Sequence, residues 1–542
     1  MSGAQPRGSW DFQAGAWDPA GRARASSSAD RSLGRDMTGR YVIGIDGGTE
    51  GLRAAVVDLD GTVLAMAASA YETRFPHPAW AEQDPADWWR AVGIAVRGAV
   101  AQAGVQPGDI AAIGLDTTCC SVVALDAAGE ALRPALIWMD VRSAEQAARV
   151  TASGDSSLKV NGDGRGPVSA EWMIPKALWL KEREPASFER AATICEFQDY
   201  INHRLSGRMV ASINNASVRW HYDARGSGYA ASLVRHLGME ALLEKWPREV
   251  VPLGAVIGGL TAQAAEHLGL AKGLPVTQGG ADAFIAMIGL GVIRPGRLAL
   301  ITGSSHLQLG LSDTEFHGQG VWGSYADAVV PGLHVVEGGQ TSTGSIVAWL
   351  RRLLGEQTTY ERLDAEAASL PPGAEGLVVL DHFQGNRTPY TDPDSRGIVA
   401  GLTLKHGRAH IFRAVLEGIA FGTELIFETM RKAGFAPKDL VICGGATRSD
   451  LWLQIHADVC GLPLSLTRVA DAPILGSAIL AAVGVGLHPD LESAVARMVH
   501  VERRVEPDAR RHEAYRPFYE AYKDSYRALA PLYRALNSTS HR

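Results

Sequence analysis

The chain has 542 residues, 46% of them hydrophobic and 20% charged, the balance of a globular protein too long for a single core. A net charge of −7 gives no electrostatic footprint for nucleic acid or an anionic membrane, and no run of about 18 apolar residues would span a bilayer. The five cysteines are odd in number and scattered, which suits a reducing cytosol better than a disulfide framework, and no CxxC spacing suggests zinc.

Residues 1–38 are rich in Ser, Gly, Ala and Arg without an apolar period and are expected to form a disordered leader. Asp11, Asp18, Asp30 and Asp36 argue against a transit peptide, and Met37 offers an alternative start of translation. Two apolar strands, 41–45 and 53–59, then flank Asp46-Gly47-Gly48-Thr49. Such a turn presents backbone N–H groups with no Cβ in the way, as a phosphate cradle requires, and the Asp46 carboxylate at its base suits Mg2+ held through water. Asp60-Gly61 is a tight turn into a third strand.

Downstream, strand and helix alternate. Residues 85–102 read as a helix with Asp84 as N-cap. Strands 110–115 and 121–125 surround Asp116-Thr117-Thr118-Cys119-Cys120, and the segment 138–142 is expected to open another helix. Residues 154–168 are a Gly/Asp/Ser loop, and 171–182 a helix with Lys176 near its start. A strand at 274–278 runs through Gly279-Gly280-Ala281 to Asp282 and an apolar helix, 283–289, which Asp282 would also cap. Residues 289–295 read as a hinge.

About half the chain after the first turn the theme returns: strands 297–301 and 306–311 flank Thr302-Gly303-Ser304-Ser305. Gly444-Gly445-Ala446 follows a further strand, and 472–486 is a small-residue helix suited to close packing. The repeat predicts two related α/β domains, 39–290 and 291–538, each opening with the same hairpin.

The ordered set of these turns resembles the FGGY carbohydrate kinases, in the superfamily of sugar kinases, actin and heat-shock ATPases. The resemblance is carried also by Trp138-x-Asp140-x-Arg142, Pro175-Lys176-x-x-Trp179-Leu180, the Gly385-Asn386-Arg387-Thr388-Pro389 loop and the run 413–421. It extends from about Tyr41 to Tyr533; Ala177, smaller than usual in the family, is a minor departure. The resemblance implies a two-domain, actin-like (ribonuclease H-like) fold with duplicated domains around a cleft. It also implies transfer of the γ-phosphoryl of ATP, with Mg2+, to a sugar or polyol. Asp282 matches the family's catalytic base and also touches the sugar. Thr49, Arg53, Thr302 and Gly303 belong to the turns that meet phosphates; Gly344, Gly445 and Ser449 are expected to line the adenosine. Glu50 stands where many members carry a small hydroxyl residue, and is expected to face away from phosphate or to reach the metal through water.

In the family the turn after strand 110–115 helps to choose the sugar. Cys119-Cys120 is unlike the pairs of glycerol kinases and xylulokinases and resembles the ribulokinase branch, with Cys120 leaving backbone groups for the sugar. Lys176 and Glu337 match substrate residues of that branch. The expected activity is therefore phosphorylation of a ketopentose such as ribulose. The alternatives are kinases of another polyol or ketose (ribitol, erythritol, xylulose or a heptulose) and an actin-like nucleotide switch. A homodimer in the cytoplasm is the expected form, with no nucleic-acid or membrane partner.

Overall fold

The computed structural model describes residues 40–161, 164, 166–318, 321–355 and 357–540; the expected leader, 1–38, lies outside them. Two large sheets organise the rest. The first runs, edge to edge, Val256–Gly259, Pro275–Thr277, Ile110–Thr117, Tyr41–Gly47, Gly51–Asp58, Val63–Ala70. The second runs Val501–Val505, Leu464–Thr467, Asp439–Gly444, Arg297–Thr302, His306–Ser312, His334–Gln340, Gly323–Ala326.

Strand by strand the pairings are the same. Each half opens with two antiparallel pairings, and its first strand lies parallel to the one that follows the hairpin unit. A second parallel neighbour and an antiparallel edge complete the set. Gly323–Ala326 is an extra edge strand in the second sheet. The duplication expected from the two glycine turns is thus a duplication of topology, that of the ribonuclease H-like, actin-type α/β fold. The central strands read as nearly continuous apolar runs because helices cover both faces.

The 85–103 helix forms as expected: Asp84 accepts from the Ala86 N–H at 2.9 Å, Pro85 occupies the first turn, and Gly104 ends it in left-handed conformation. Two expectations are corrected. Residues 138–142 form a turn, and the helix starts only at Ala144–Ala152. The Asp140 carboxylate takes the Ala81 N–H (2.7 Å) and the Arg142 guanidinium, and such side-chain bonds compete with helix formation. Asp282 is not the N-cap of its helix: Ala281 is, and Asp282 is the first helical residue of Asp282–Gly289.

That helix and Ala472–Gly484 cross between the sheets. The Ala472–Gly484 helix lies against the first sheet so closely that a methyl group on Gly44 would collide with the Ile474 carbonyl; at the crossing, one on Gly476 would collide with the Ile285 carbonyl. The small-residue character of 472–486 serves this packing, and it brings the start of a C-terminal helix beside the strand ends of the N-terminal half.

Candidate active site

Parallel register sets the first part of the site. Asp46 and Asp116 are direct partners at the C-terminal ends of adjacent strands, and Ala281, next to Asp282, bridges Thr117. Ligands of open α/β sheets bind outside such strand ends. Asp46 is 2% exposed and ion-paired with Arg53, its partner across the antiparallel hairpin; Arg53 also pairs with Asp471 at the start of the Ala472–Gly484 helix. Burial opposes the Arg53 charge, but Asp46 and Asp471 outweigh it and hold its pKa above the usual value.

Asp282 is pushed up to about 7, first by burial and then by the Asp46 charge, against the Ala283 N–H (2.6 Å) and Arg53. Asp116 is fully buried and raised well above the carboxylate range by burial, Asp46 and Asp282, with the Ser477 hydroxyl (2.6 Å) opposing. Its Oδ1 has no partner. Asp116, Asp471 and Ser477 were not singled out from the sequence. A signal for Asp116 existed: like Asp46, it ends an apolar strand.

The first turn is braced from outside. Trp138 Nε1 donates to Thr49 Oγ1 (2.8 Å), and Gln83 Nε2 to the Thr49 carbonyl (2.7 Å). Glu50 is exposed.

The second turn is neutral. Thr302 is 4% exposed; its hydroxyl donates to the Cys443 carbonyl (2.6 Å) and accepts from the Ala446 N–H (3.1 Å). It therefore joins the two glycine turns rather than offering a free donor to phosphate. Gly303 and Gly445 are exposed, and a methyl on Gly445 would meet nothing within 4 Å, so open space lies above the 444–446 turn. Gly344 was expected to line the adenosine; its N–H goes to the Gly303 carbonyl (3.2 Å), and a Cβ would collide with that same oxygen. The lack of a side chain there lets the Gly344–Leu353 helix reach the turn. Ser449 caps the Asp450–Cys460 helix, accepting from the Trp452 N–H (3.0 Å).

The expected sugar residues form a third group. Glu337 is fully buried; its two oxygens accept from Arg219 at 2.9 and 3.1 Å and from the Tyr325 hydroxyl at 2.7 Å, and Arg387 lies at 3.7 Å. Burial pushes its carboxyl up, but Arg219, Arg387 and Tyr325 outweigh this and hold it below the ordinary range, so it stays ionised and is a poor base. Arg219, which also faces Cys119 and Cys120, was missed in the sequence.

Two expectations here are corrected. Lys176 is fully buried, and its ammonium donates to the carbonyls of Cys120 (2.7 Å), Ile137 (2.7 Å) and Leu136 (3.2 Å). An ammonium has three donors, so none is left for a sugar. The Cys120 backbone is not free either: its N–H goes to Glu196 (2.8 Å), its carbonyl to Lys176, and its φ of 63° is left-handed. Glu196 also takes Asn215 (2.8 Å) and Trp220 (2.6 Å). Lys176 and Glu196 therefore clamp the turn from both sides.

The first two of these groups are linked. Arg53 joins Asp46 to Asp471, Asp471 acts electrostatically on Cys443, and Cys443 accepts from Thr302. The first glycine turn is thereby connected to the second through Arg53 and Asp471. The sequence profile of the FGGY family of carbohydrate kinases matches both halves, its N-terminal domain at residues 41–289 and its C-terminal domain at 298–485. The chain belongs to the FGGY family of carbohydrate kinases.

Its relatives include an FGGY carbohydrate kinase domain-containing protein of Xenopus laevis, 33% identical over 86% of this chain and 93% of that protein. A ribulokinase of Mycolicibacterium smegmatis is 34% identical over 85% of this chain and 88% of its own. Among solved structures, a xylulose kinase from Rhodospirillum rubrum superimposes with a TM-score of 0.83 at 32% identity, covering 91% of this chain and all of the other.

For this carbohydrate kinase the site offers a carboxylate poised near neutrality, Asp282, beside the ion pair of Asp46 and Arg53. Among the described residues no group of three or more His, Cys, Asp or Glu side chains is arranged to hold a metal by itself. Mg2+ bound mainly by phosphate oxygens and water asks for only one or two carboxylates. Asp46 and Asp116 fit that smaller demand: they are oxygen donors on adjacent strand ends, and Asp116 Oδ1 is buried without a partner.

Proposed function

We propose that this kinase transfers the γ-phosphoryl of ATP to a hydroxyl of a ketopentose such as ribulose. The observation that supports this best is Asp282, a half-buried carboxyl with a pKa near 7 beside the strand ends of the first turn. A base with that pKa is about half ionised at neutral pH, and the ionised form takes up the proton of an attacking hydroxyl. The hydroxyl oxygen forms the new bond to the γ-phosphorus, the bond to the β–γ bridging oxygen breaks, and ADP departs with that electron pair. Asp46 and Asp116 would hold Mg2+, which when bound neutralises charge on the phosphates.

The exposed glycines at 303 and 445 are the proposed floor for the nucleotide, with Thr302, Gly344 and Ser449 holding the turns in shape and Thr49 and Arg53 completing the first turn. Arg219 and Arg387 keep Glu337 ionised, so that it can accept hydrogen bonds from sugar hydroxyls. Lys176 and Cys120 shape the sugar side by fixing the 116–120 turn. The proposed domain limits are 39–290 and 291–538, with closure about 289–295 excluding water.

The ribulokinase similarity favours ribulose; the similarity to a solved xylulose kinase favours xylulose as the second reading. Phosphorylation assays over a panel of ketopentoses, pentitols, erythritol and heptuloses decide between them. The first reading requires the highest kcat/KM with a ribulose, and a higher value with xylulose would replace it. No helix among the described residues is long and apolar enough to cross a membrane, and all five cysteines are free. Both agree with a cytoplasmic enzyme; the proposed homodimer is tested by sedimentation equilibrium.

A further inference from the structure

All five cysteines lie among the described residues, and Cys119 alone of them is not buried. Its neighbour Cys120 is 2% exposed and donates its S–H to the Cys119 sulfur at 3.6 Å. Consecutive side chains of an extended chain point to opposite faces, so adjacent cysteines ordinarily keep their sulfurs apart. Here the chain bends at Cys119 and turns left-handed at Cys120, with a φ of 63°, which brings both thiols to one side. Lys176 and Glu196 hold that bend from both sides, and a non-glycine residue kept in this conformation points to a use for the strain. The phosphoryl transfer described above employs neither thiol.

The turn that carries the pair touches both parts of the acidic strand end. The Thr118 N–H donates to the Gly47 carbonyl at 2.8 Å, and the Thr117 N–H to the Gly280 carbonyl at 3.1 Å. Gly47 follows Asp46, and Gly280 lies just ahead of Ala281 and Asp282. Both cysteines also act electrostatically on Arg219, the partner of Glu337. A covalent change at Cys119-Cys120 is therefore passed through backbone hydrogen bonds to the first turn and to the segment that leads to Asp282.

We propose that Cys119 and Cys120 form a redox modification site, a dithiol that hydrogen peroxide oxidises reversibly to a disulfide between adjacent residues, turning the kinase off. The Cys119 sulfur attacks one peroxide oxygen; an S–O bond forms, the O–O bond breaks, and the leaving hydroxide takes the thiol proton to give water. The Cys120 sulfur then attacks the Cys119 sulfenic acid; the S–S bond forms, the S–O bond breaks, and the departing hydroxide takes the Cys120 proton as a second water. Two electrons pass from the sulfurs to the peroxide. Burial pushes the Cys120 thiol well above its usual range, with Arg219 opposing, which suits it to the second step and leaves the first to Cys119. Closing 3.6 Å to the ~2.0 Å of a disulfide works against the Lys176 and Glu196 clamps and deforms the turn. Adjacent Cα atoms lie ~3.8 Å apart, closer than disulfides prefer, so the bond is strained and thiols reduce it again. The modification does not depend on which sugar is phosphorylated; its effect on rate rests on the proposed transfer.

Treatment of the reduced full chain with hydrogen peroxide tests the proposal. Samples are quenched, alkylated after unfolding, digested and weighed by mass spectrometry, and the phosphorylation rate of each is read with the best substrate of the sugar panel. The peptide spanning Cys119 and Cys120 is expected to carry no alkyl group and to be two hydrogens lighter, while Cys195, Cys443 and Cys460 are alkylated. The rate should fall about tenfold or more, as a displacement near 1 Å at a site costs, and dithiothreitol should restore it. Cys119→Ser, compared with its own untreated rate, should keep its activity at the same dose. Alkylation of both cysteines after peroxide would overturn the proposal. So would a disulfide that leaves the rate unchanged, a sulfinic acid at Cys119 that dithiothreitol does not reverse, or a Cys119→Ser enzyme inactivated as fast as wild type. The mass reading on the wild type needs no variant, so it decides even where Cys119→Ser does not fold. Failure of the untreated enzyme to phosphorylate any sugar counts against the proposed function alone, since the disulfide is read by mass.

Discussion

The first strand of the N-terminal half ends in Asp46, and its counterpart Arg297–Thr302 ends in Thr302. The parallel neighbour ends with Asp116 opposite Asp46 in one half, and with Gly444 opposite Thr302 in the other. The helix after the next strand starts at Asp282 in one half and follows Asp471 in the other. One topology therefore carries two kinds of strand end, one acidic and one built from backbone and a hydroxyl. Burial raises both Asp116 and Asp282, and the nearby Asp46 charge raises them further. The acidic end is suited to holding a proton or a cation, and the neutral end, with open space above Gly445, is the proposed place for the nucleotide. Duplication supplied the scaffold, and charge divided the labour.

The strongest challenge to that division is Asp282→Asn. Loss of a general base is expected to lower kcat by about 10²–10⁴-fold while ATP KM holds. In the wild type kcat/KM should rise with pH to a plateau, with an apparent pKa near 7, and the variant's residual rate should lose that limb. Stability moves the other way. A carboxyl whose pKa is raised in the folded state contributes most below its unfolded value, about 3.9. That contribution is lost as pH climbs towards 7, so the variant should lose pH-dependence of unfolding between those limits. A residual kcat above about a tenth of wild type would remove Asp282 from the chemistry.

Next in size is Lys176→Met. It leaves three buried carbonyls without their donor, and a loss on the order of 3 kcal/mol in urea unfolding is expected. Sugar KM should rise through the loosened Cys120 turn, with ATP KM unchanged. A variant as stable as wild type, with only sugar KM raised, would make Lys176 a direct sugar ligand after all.

Thr302→Val tests the neutral end. It unties the Cys443 carbonyl and the Ala446 N–H, for about 1–2 kcal/mol of stability, and should raise ATP KM more than sugar KM. The smallest effect is expected from Asp471→Asn. Its pair with Arg53 is partly exposed, so less than about 1 kcal/mol should be lost, and less still in high salt.

Much of the site was legible because glycine-rich turns after apolar strands have a local cause. Residues without Cβ leave the backbone open at 303 and 445, and let it pack closely at 47 and 444; Asp46 and Asp282 stand beside such glycine turns. Asp116 carried the same mark of a carboxylate ending a strand, but without a glycine after it the position read as an ordinary turn. Lys176 and Glu337 were noticed through resemblance, and sequence could not tell what they touch. The Lys176 partners lie 39 to 56 positions away, and Arg219 lies 118 positions from Glu337.

By itself, then, the sequence determined the two hairpins, the helix start at Asp84 and the glycine turns, since each follows from neighbours within a few residues. Tertiary structure alone decided which polar groups are already satisfied. Lys176, Thr302 and the Cys120 backbone look available in one dimension and are committed in three. A hydrogen bond is spent by whichever group folding brings within about 3 Å, and that choice rests on sheet register and helix packing rather than on the residue's own chemistry.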